Sequence, residues 1–237
     1  MKRFTYELDS DLSVSPNIGL VILQTDESME YELKRWLPAD YRIFHTRIAN
    51  DQSIGSDSLQ AMKARLPDSL SLLPEHTPFD VIAYGCTSAT TVIGESGVES
   101  AIRSVFPKAG VTNPLTAIKA QLTEIGAERI ALLTPYVPEV SEQVVTHLKS
   151  CNFDIAVSGS FYEALDYRVA RISQSSLIDA ITQLSTDSHL EAIVVTCTNL
   201  RTYELIDKAR ELCGCPVISS NSAMAWHIQA LINNSCA

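Results

Sequence analysis

Two segments of the chain end in the same dipeptide. Asp80-Val81-Ile82-Ala83-Tyr84-Gly85-Cys86-Thr87 and Glu191-Ala192-Ile193-Val194-Val195-Thr196-Cys197-Thr198 each set an acidic residue before a mostly apolar run suited to a buried strand, then Cys-Thr. A thiol placed where a buried strand gives way to a loop lies where open α/β sheets bind ligands. Two such thiols suggest two half-domains that each offer one to a shared cleft. A thiol near its ordinary pKa of about 8.5 is mostly protonated at neutral pH, and converging backbone N–H groups and helix N-termini favour the thiolate. One thiolate can remove a proton from a bound carbon while the other thiol returns one from the far side, which is racemisation. The same pair permits addition of a thiolate to an activated C=C bond, rotation about the resulting single bond, and elimination, which is cis–trans isomerisation. In both reactions charge develops on a substrate carboxylate, and the N–H groups and hydroxyls of Thr87, Ser88, Thr198 and Asn199 are the natural donors to it. A lone cysteine at a strand end is more commonly a core residue than a catalyst. The duplication makes Cys86 and Cys197 the candidate catalytic pair.

The elements that would carry these thiols alternate in two similar blocks. Ile18 to Leu23 reads as a buried strand, a polar loop follows, and a helix runs from Met29 to about Leu37. Its counterpart is Arg129 to Thr134, then Pro135-Tyr136-Val137-Pro138, then a helix from Glu139 to about Lys149. Second strands are expected at Tyr41 to Arg47 and at Phe153 to Gly159, and helices at Ser58 to Leu73 and Ser175 to Leu184 lead into the cysteine strands. After each cysteine loop a further helix is expected, then a brief apolar segment around Val111 or Val217, then a closing helix at Leu115 to Ile125 or Ala223 to Ile232. The expected class is therefore α/β, built as two lobes with parallel sheets. The lobes are placed at residues 1–113, with 222–237 packing back onto them, and at 114–221. No glycine-rich phosphate loop stands at any strand-to-helix junction, so neither a dinucleotide fingerprint nor a P-loop is supported.

Composition narrows the function. The net charge of −10 provides no basic stripe for phosphates and argues against a nucleic-acid partner. Two basic residues open the chain without an apolar h-region behind them, and no later run approaches a membrane span, so a cytoplasmic protein is expected. Six cysteines in such a chain read as free thiols, and none has the paired spacing of a zinc site. Cys151, Cys213, Cys215 and Cys236 are read as structural or incidental, and His227 as a packing residue inside the last helix. Asn113, Ser220 and Asn221 are read as helix caps, their commonest role.

These residues carry a family resemblance. Duplicated βαβ halves with Cys-Thr after the third strand of each resemble the aspartate/glutamate racemase superfamily. Cys86-Thr87-Ser88-Ala89-Thr90, Thr134-Pro135-Tyr136-Val137, Cys197-Thr198-Asn199-Leu200 and Ser219 to His227 resemble its maleate cis–trans isomerase branch, which neighbours arylmalonate decarboxylases and ectoine-utilisation proteins. The resemblance implies lobes related by a pseudo-twofold axis, an active site between them, no cofactor or metal, a small carboxylate substrate and a homodimer. It also implies that Tyr136 contacts substrate as a hydrogen-bond donor, where the bland reading has Tyr136 covering an apolar edge.

The chain departs from that branch at two positions. Where maleate isomerases carry Asn after the first strand, this chain has Asp26, and the second Asn aligns with Asp166 or Tyr167. An ionised Asp only accepts hydrogen bonds, so acceptors here suit a substrate bearing an ammonium or amide N–H group. Alternatively, Asp26 simply caps the helix that begins near Met29. The function expected is isomerisation or racemisation of a small carboxylic acid. Decarboxylation of a malonate-like acid and non-catalytic binding of a small molecule stand as alternatives.

Overall fold

The computed structural model describes residues 1–8, 15–51, 55–186 and 189–235; Cys236 lies outside them. β1 (Asn17–Leu23), β2 (Arg42–Ile48), β3 (Val81–Gly85) and β4 (Gly110–Thr112) form one sheet in the order β2-β1-β3-β4. β5 (Arg129–Thr134), β6 (Asp154–Ser160), β7 (Ala192–Val195) and β8 (Val217–Ser219) form a second in the order β6-β5-β7-β8. Every strand pair is parallel. The two halves thus repeat one topology. In each, the chain steps from its first strand outward to the second, then crosses back to add the third on the other side. Loops leaving the first and third strands therefore diverge and open a crevice at their C-terminal ends.

β1, β3 and β7 are buried along their whole length, as expected of parallel strands covered on both faces, which read as continuous apolar runs. The edge strands β2 and β6 are only partly buried. The helices are α1 (Met29–Trp36), α2 (Ser56–Leu70), α3 (Thr87–Ile93), α4 (Glu95–Arg103), α5 (Pro114–Glu124), α6 (Pro138–Ser150), α7 (Asp166–Val169), α8 (Gln174–Leu184), α9 (Ile206–Cys213) and α10 (Ser220–Ser235). Gly94 separates α3 from α4 with φ +82°, a conformation that L side chains rarely adopt. Helix α10 returns to the first sheet and packs on α1, α5, β3 and β4, while α5 packs on α10 and α3. Glu95 on α4 binds Lys119 on α5 at 2.5 Å and His147 on α6 at 3.3 Å, joining three helices. Burial pushes the Glu95 carboxyl up, but His147, Lys119 and Thr116 outweigh it and hold it at about 2.

One expectation needs correcting. Cys86 leads straight into α3, but Cys197 is followed by turns, and α9 begins only at Ile206. The second thiol consequently lacks a helix N-terminus beside it and is held by other means.

Candidate active site

Cys86 follows β3 and Cys197 follows β7, so the equivalent strands of the two sheets deliver both sulfurs to one cavity. Its wall is completed by Thr87, Ser88, Tyr136, Asp166 and Thr198, with Leu23, Leu59 and Met62 as an apolar side and Asn50, Asp51 and Ser58 at the rim. The open space is about 20 Å³, room for roughly one water molecule. Gly85 sets the backbone just before the first thiol. A Cβ there would lie 2.2 Å from Met29 Sδ, so only glycine lets α1 pack this close to the end of β3.

Cys86 occupies the N-cap position of α3, and its Sγ accepts the Ala89 N–H at 3.3 Å. Ser88 Oγ lies 3.6 Å from the same sulfur. Burial at 2% exposure nevertheless pushes this thiol up to about 12, with Asp166 and Asp26 adding to the rise. Cys197 holds a backbone φ of +99°, in the left-handed region where a non-glycine residue is strained. That conformation turns its side chain into the cavity, where Tyr136 Oη and the Asn199 N–H donate to Sγ. Burial and then Asp166 push the Cys197 thiol well above its ordinary value. Each sulfur thus has its own pair of donors in a buried site.

The two halves are cross-bonded immediately behind the cavity. Ser220 Oγ accepts the Cys197 N–H at 3.1 Å and lies 2.9 Å from Thr87 Oγ1, linking the two cysteine loops directly. Asp26 does not line the cavity. Its Oδ1 accepts the Ser28 and Met29 N–H groups, capping α1, and its Oδ2 accepts Thr198 Oγ1 at 2.8 Å. Burial raises the Asp26 carboxyl to about 6. Asn199 is likewise turned away: its Oδ1 accepts the Glu27 N–H at 2.8 Å and its Nδ2 donates to the Asp166 carbonyl at 3.0 Å. Of the nine residues expected at the site, seven therefore line one cavity; Asp26 stands behind it, and Asn199 gives the site its backbone N–H while its side chain joins loops.

A family model for arylmalonate decarboxylase matches residues 100–237, more than half of the chain. The chain belongs to the arylmalonate decarboxylase family. That match includes Cys197 and stops short of Cys86. Maleate isomerase of Nocardia farcinica is 28% identical over 222 residues, covering 89% of this chain and 88% of that protein. A solved cysteine-to-serine variant of the Nocardia farcinica maleate cis–trans isomerase, carrying a covalently bound succinylcysteine intermediate, superposes with a TM-score of 0.85. It is 26% identical, and 92% of this chain and 93% of that one are covered. Arylmalonate decarboxylase of Bordetella bronchiseptica is 26% identical over 122 residues, 48% of each chain. This member of the arylmalonate decarboxylase family is a cysteine-based isomerase of the racemase-like superfamily.

Three residues of this family member belong to the site's framework without having been read as such. Ser220 and Asn221 are not the caps of α10; Ser219 and Ser222 are, each accepting the other's N–H. Ser220 instead joins the cysteine loops, and Asn221 Nδ2 donates to the Thr198 carbonyl and to Glu32, each at 2.8 Å. Glu32 sits on α1 at 1% exposure, and its signal was present: Met29, Glu32 and Leu33 share a helical face, which put a carboxylate on the apolar side. Asn113 caps α5 as expected, His227 packs with Nδ1 2.7 Å from Thr112 Oγ1, and the five described cysteines are all free. Among the described residues no group of three or more His, Cys, Asp or Glu side chains is placed to hold a metal ion, and no helix is long and apolar enough to cross a membrane.

The Tyr136 contact yields a prediction. Tyr136→Phe removes one of two donors to Cys197 and keeps the ring that fills the site. Loss of a preorganised donor to developing charge costs about 10²-fold in kcat. Steady-state kinetics should show that fall with little change in Tm; an unchanged kcat would reduce Tyr136 to a packing residue.

Proposed function

We propose that this protein interconverts the cis and trans forms of a small unsaturated carboxylic acid, with Cys86 as nucleophile and Cys197 as acid and base. The observation that supports this best is the pair of buried thiols, supplied by equivalent strands of two sheets to one closed cavity. Burial raises both thiols and Asp166 is the next cause of the rise at each, so the assignment of roles rests on the backbone around the two sulfurs. The N-cap position and the Ala89 N–H favour the thiolate at Cys86.

The Cys86 thiolate adds to one alkene carbon, forming a C–S bond while the π electrons move onto the neighbouring carbon and its carboxylate. Cys197 gives its proton to that neighbouring carbon. The resulting single bond rotates, the Cys197 thiolate takes a proton back, and the C–S bond breaks to leave the trans alkene and the Cys86 thiolate. No electron is gained or lost overall. A covalent succinylcysteine in the Nocardia farcinica relative is the species such an addition gives with maleate. Ser88 and the start of α3 are the donors nearest to the carboxylate that gains charge. With room for about one water, the resting cavity admits substrate only when its surrounding loops move. A homodimer in the cytoplasm is the assembly and location that accompany this reading.

Decarboxylation is the second reading, favoured by the family model. In it one thiol protonates an enediolate, and Cys86, buried on the same cavity, has no task. NMR of the protein with candidate acids in deuterated water separates the two. The expected result is the trans isomer, with solvent deuterium at the carbon served by Cys197. Loss of carbon dioxide from a malonate, with no alkene isomerised, would replace the isomerase reading.

A further inference from the structure

We infer that Asp166 selects substrate: it accepts a hydrogen bond from an amide or ammonium N–H at one end of an unsaturated acid whose carboxylate lies at the other. The inference rests on the isomerase reading above and adds the class of acid to it. The charged side chains lining the cavity are Asp51 and Asp166, with no Lys, Arg or His among the described lining residues. A dicarboxylate would therefore meet no cation among the described lining residues and set one of its ends against carboxylates.

The direction of the hydrogen bonds around Asp166 is fixed from the rim of the cavity. Asn50 Oδ1 accepts the Thr25 N–H at 3.3 Å, which orients that amide so that Nδ2 donates to Thr25 Oγ1 at 2.8 Å. Having accepted there, the Thr25 hydroxyl donates onward to Asp166 Oδ2. Asn199 Nδ2 donates instead to the Asp166 and Thr25 backbone carbonyls, at 3.0 and 3.4 Å, and so braces the backbone that carries this carboxylate. Asp166 is thus presented as an acceptor, at 3% exposure, on the wall shared by both thiols. Burial raises its carboxyl, and a donor from the substrate would offset that rise. Ser88 and Thr87, which line the same cavity, carry hydroxyls that can donate to a carboxylate.

The test compares kcat/KM of the full-length protein for maleamate, which carries an amide N–H, and maleate, which does not, in wild type and Asp166→Asn. (Z)-4-Aminobut-2-enoate, followed by its conversion to the trans isomer, represents an ammonium source. A charge-assisted hydrogen bond predicts that wild type prefers an N–H-bearing acid over maleate by about ten- to a hundredfold, and that Asp166→Asn removes that preference. Preference for maleamate assigns an amide; preference for the aminobutenoate assigns an ammonium group. A wild type that prefers maleate, or a ratio that Asp166→Asn leaves unmoved, overturns the inference while leaving the isomerase reading intact. Action on none of these acids would count against both. If Asp166→Asn does not fold, Asp166→Ser, smaller and uncharged, is expected to bring the ratio near parity and serves the same comparison.

Discussion

Cys86→Ala and Cys197→Ala are each expected to abolish measurable turnover while the fold persists. Both side chains are small and buried at an element boundary, so exchanging a sulfur for a hydrogen leaves little to collapse. The chemical effect is far larger. Without Cys86 no C–S bond forms, and without Cys197 the proton has no donor, a general-acid contribution of about 10²–10⁴-fold on its own. Because the two act as a unit, the double variant should be scarcely worse than either single one. Steady-state assays on the three proteins, with circular dichroism as a control on folding, make the comparison. Two single losses that multiply in the double variant would mean that the thiols act independently.

Glu32→Ala is expected to bring the largest loss of stability. This one carboxylate, on α1, accepts the Thr202 and Tyr203 N–H groups, Thr202 Oγ1 at 2.9 Å and Asn221 Nδ2 at 2.8 Å. Alanine leaves buried donors from the other half of the protein without partners, at about 1–3 kcal/mol each, and a non-additive total of about 3–4 kcal/mol is expected. For a chain of this size that lowers Tm by about 10 °C. Burial also raises the Glu32 carboxyl from its ordinary 4.5 to about 7. The folded state therefore holds a proton that the unfolded chain has released, and stability falls as pH rises from about 4.5 through about 7. Asp26, raised from 3.8 to about 6, adds the same sign lower in the range. The protonated form has an acceptor ready, since Thr202 Oγ1 can turn its own hydrogen to Ser219 Oγ at 2.9 Å. Glu32→Gln should flatten the pH dependence of Tm across this window; a slope as steep as wild type would assign it to other groups.

The strands and the thiols were legible because their causes are local. Continuous apolar runs mark buried parallel strands, and a cysteine at the end of such a run falls at the crevice wherever the topology repeats. Tyr136 was legible for the same reason, since the loop after β5 opens onto the crevice between β5 and β7. What escaped was settled between the halves. The side chains of Asp26 and Asn199 looked like cavity groups, yet that of Asp26 is consumed by α1 and Thr198, and that of Asn199 by the loop after β1. Neither spacing nor residue type says which way a polar side chain turns when another part of the chain, over a hundred residues away, offers it a partner. The positive φ of Cys197 was hidden too, because it arises where the turns replacing a helix meet Ser220.

The central claim is most directly tested by trapping the substrate on sulfur. Cys197→Ser, incubated with maleamate or maleate and then digested and mapped by mass spectrometry, should carry one substrate molecule on the peptide containing Cys86, and Cys86→Ser should carry none. Wild-type turnover with no adduct on any cysteine in Cys197→Ser, or an adduct on Cys197 in Cys86→Ser, would contradict it.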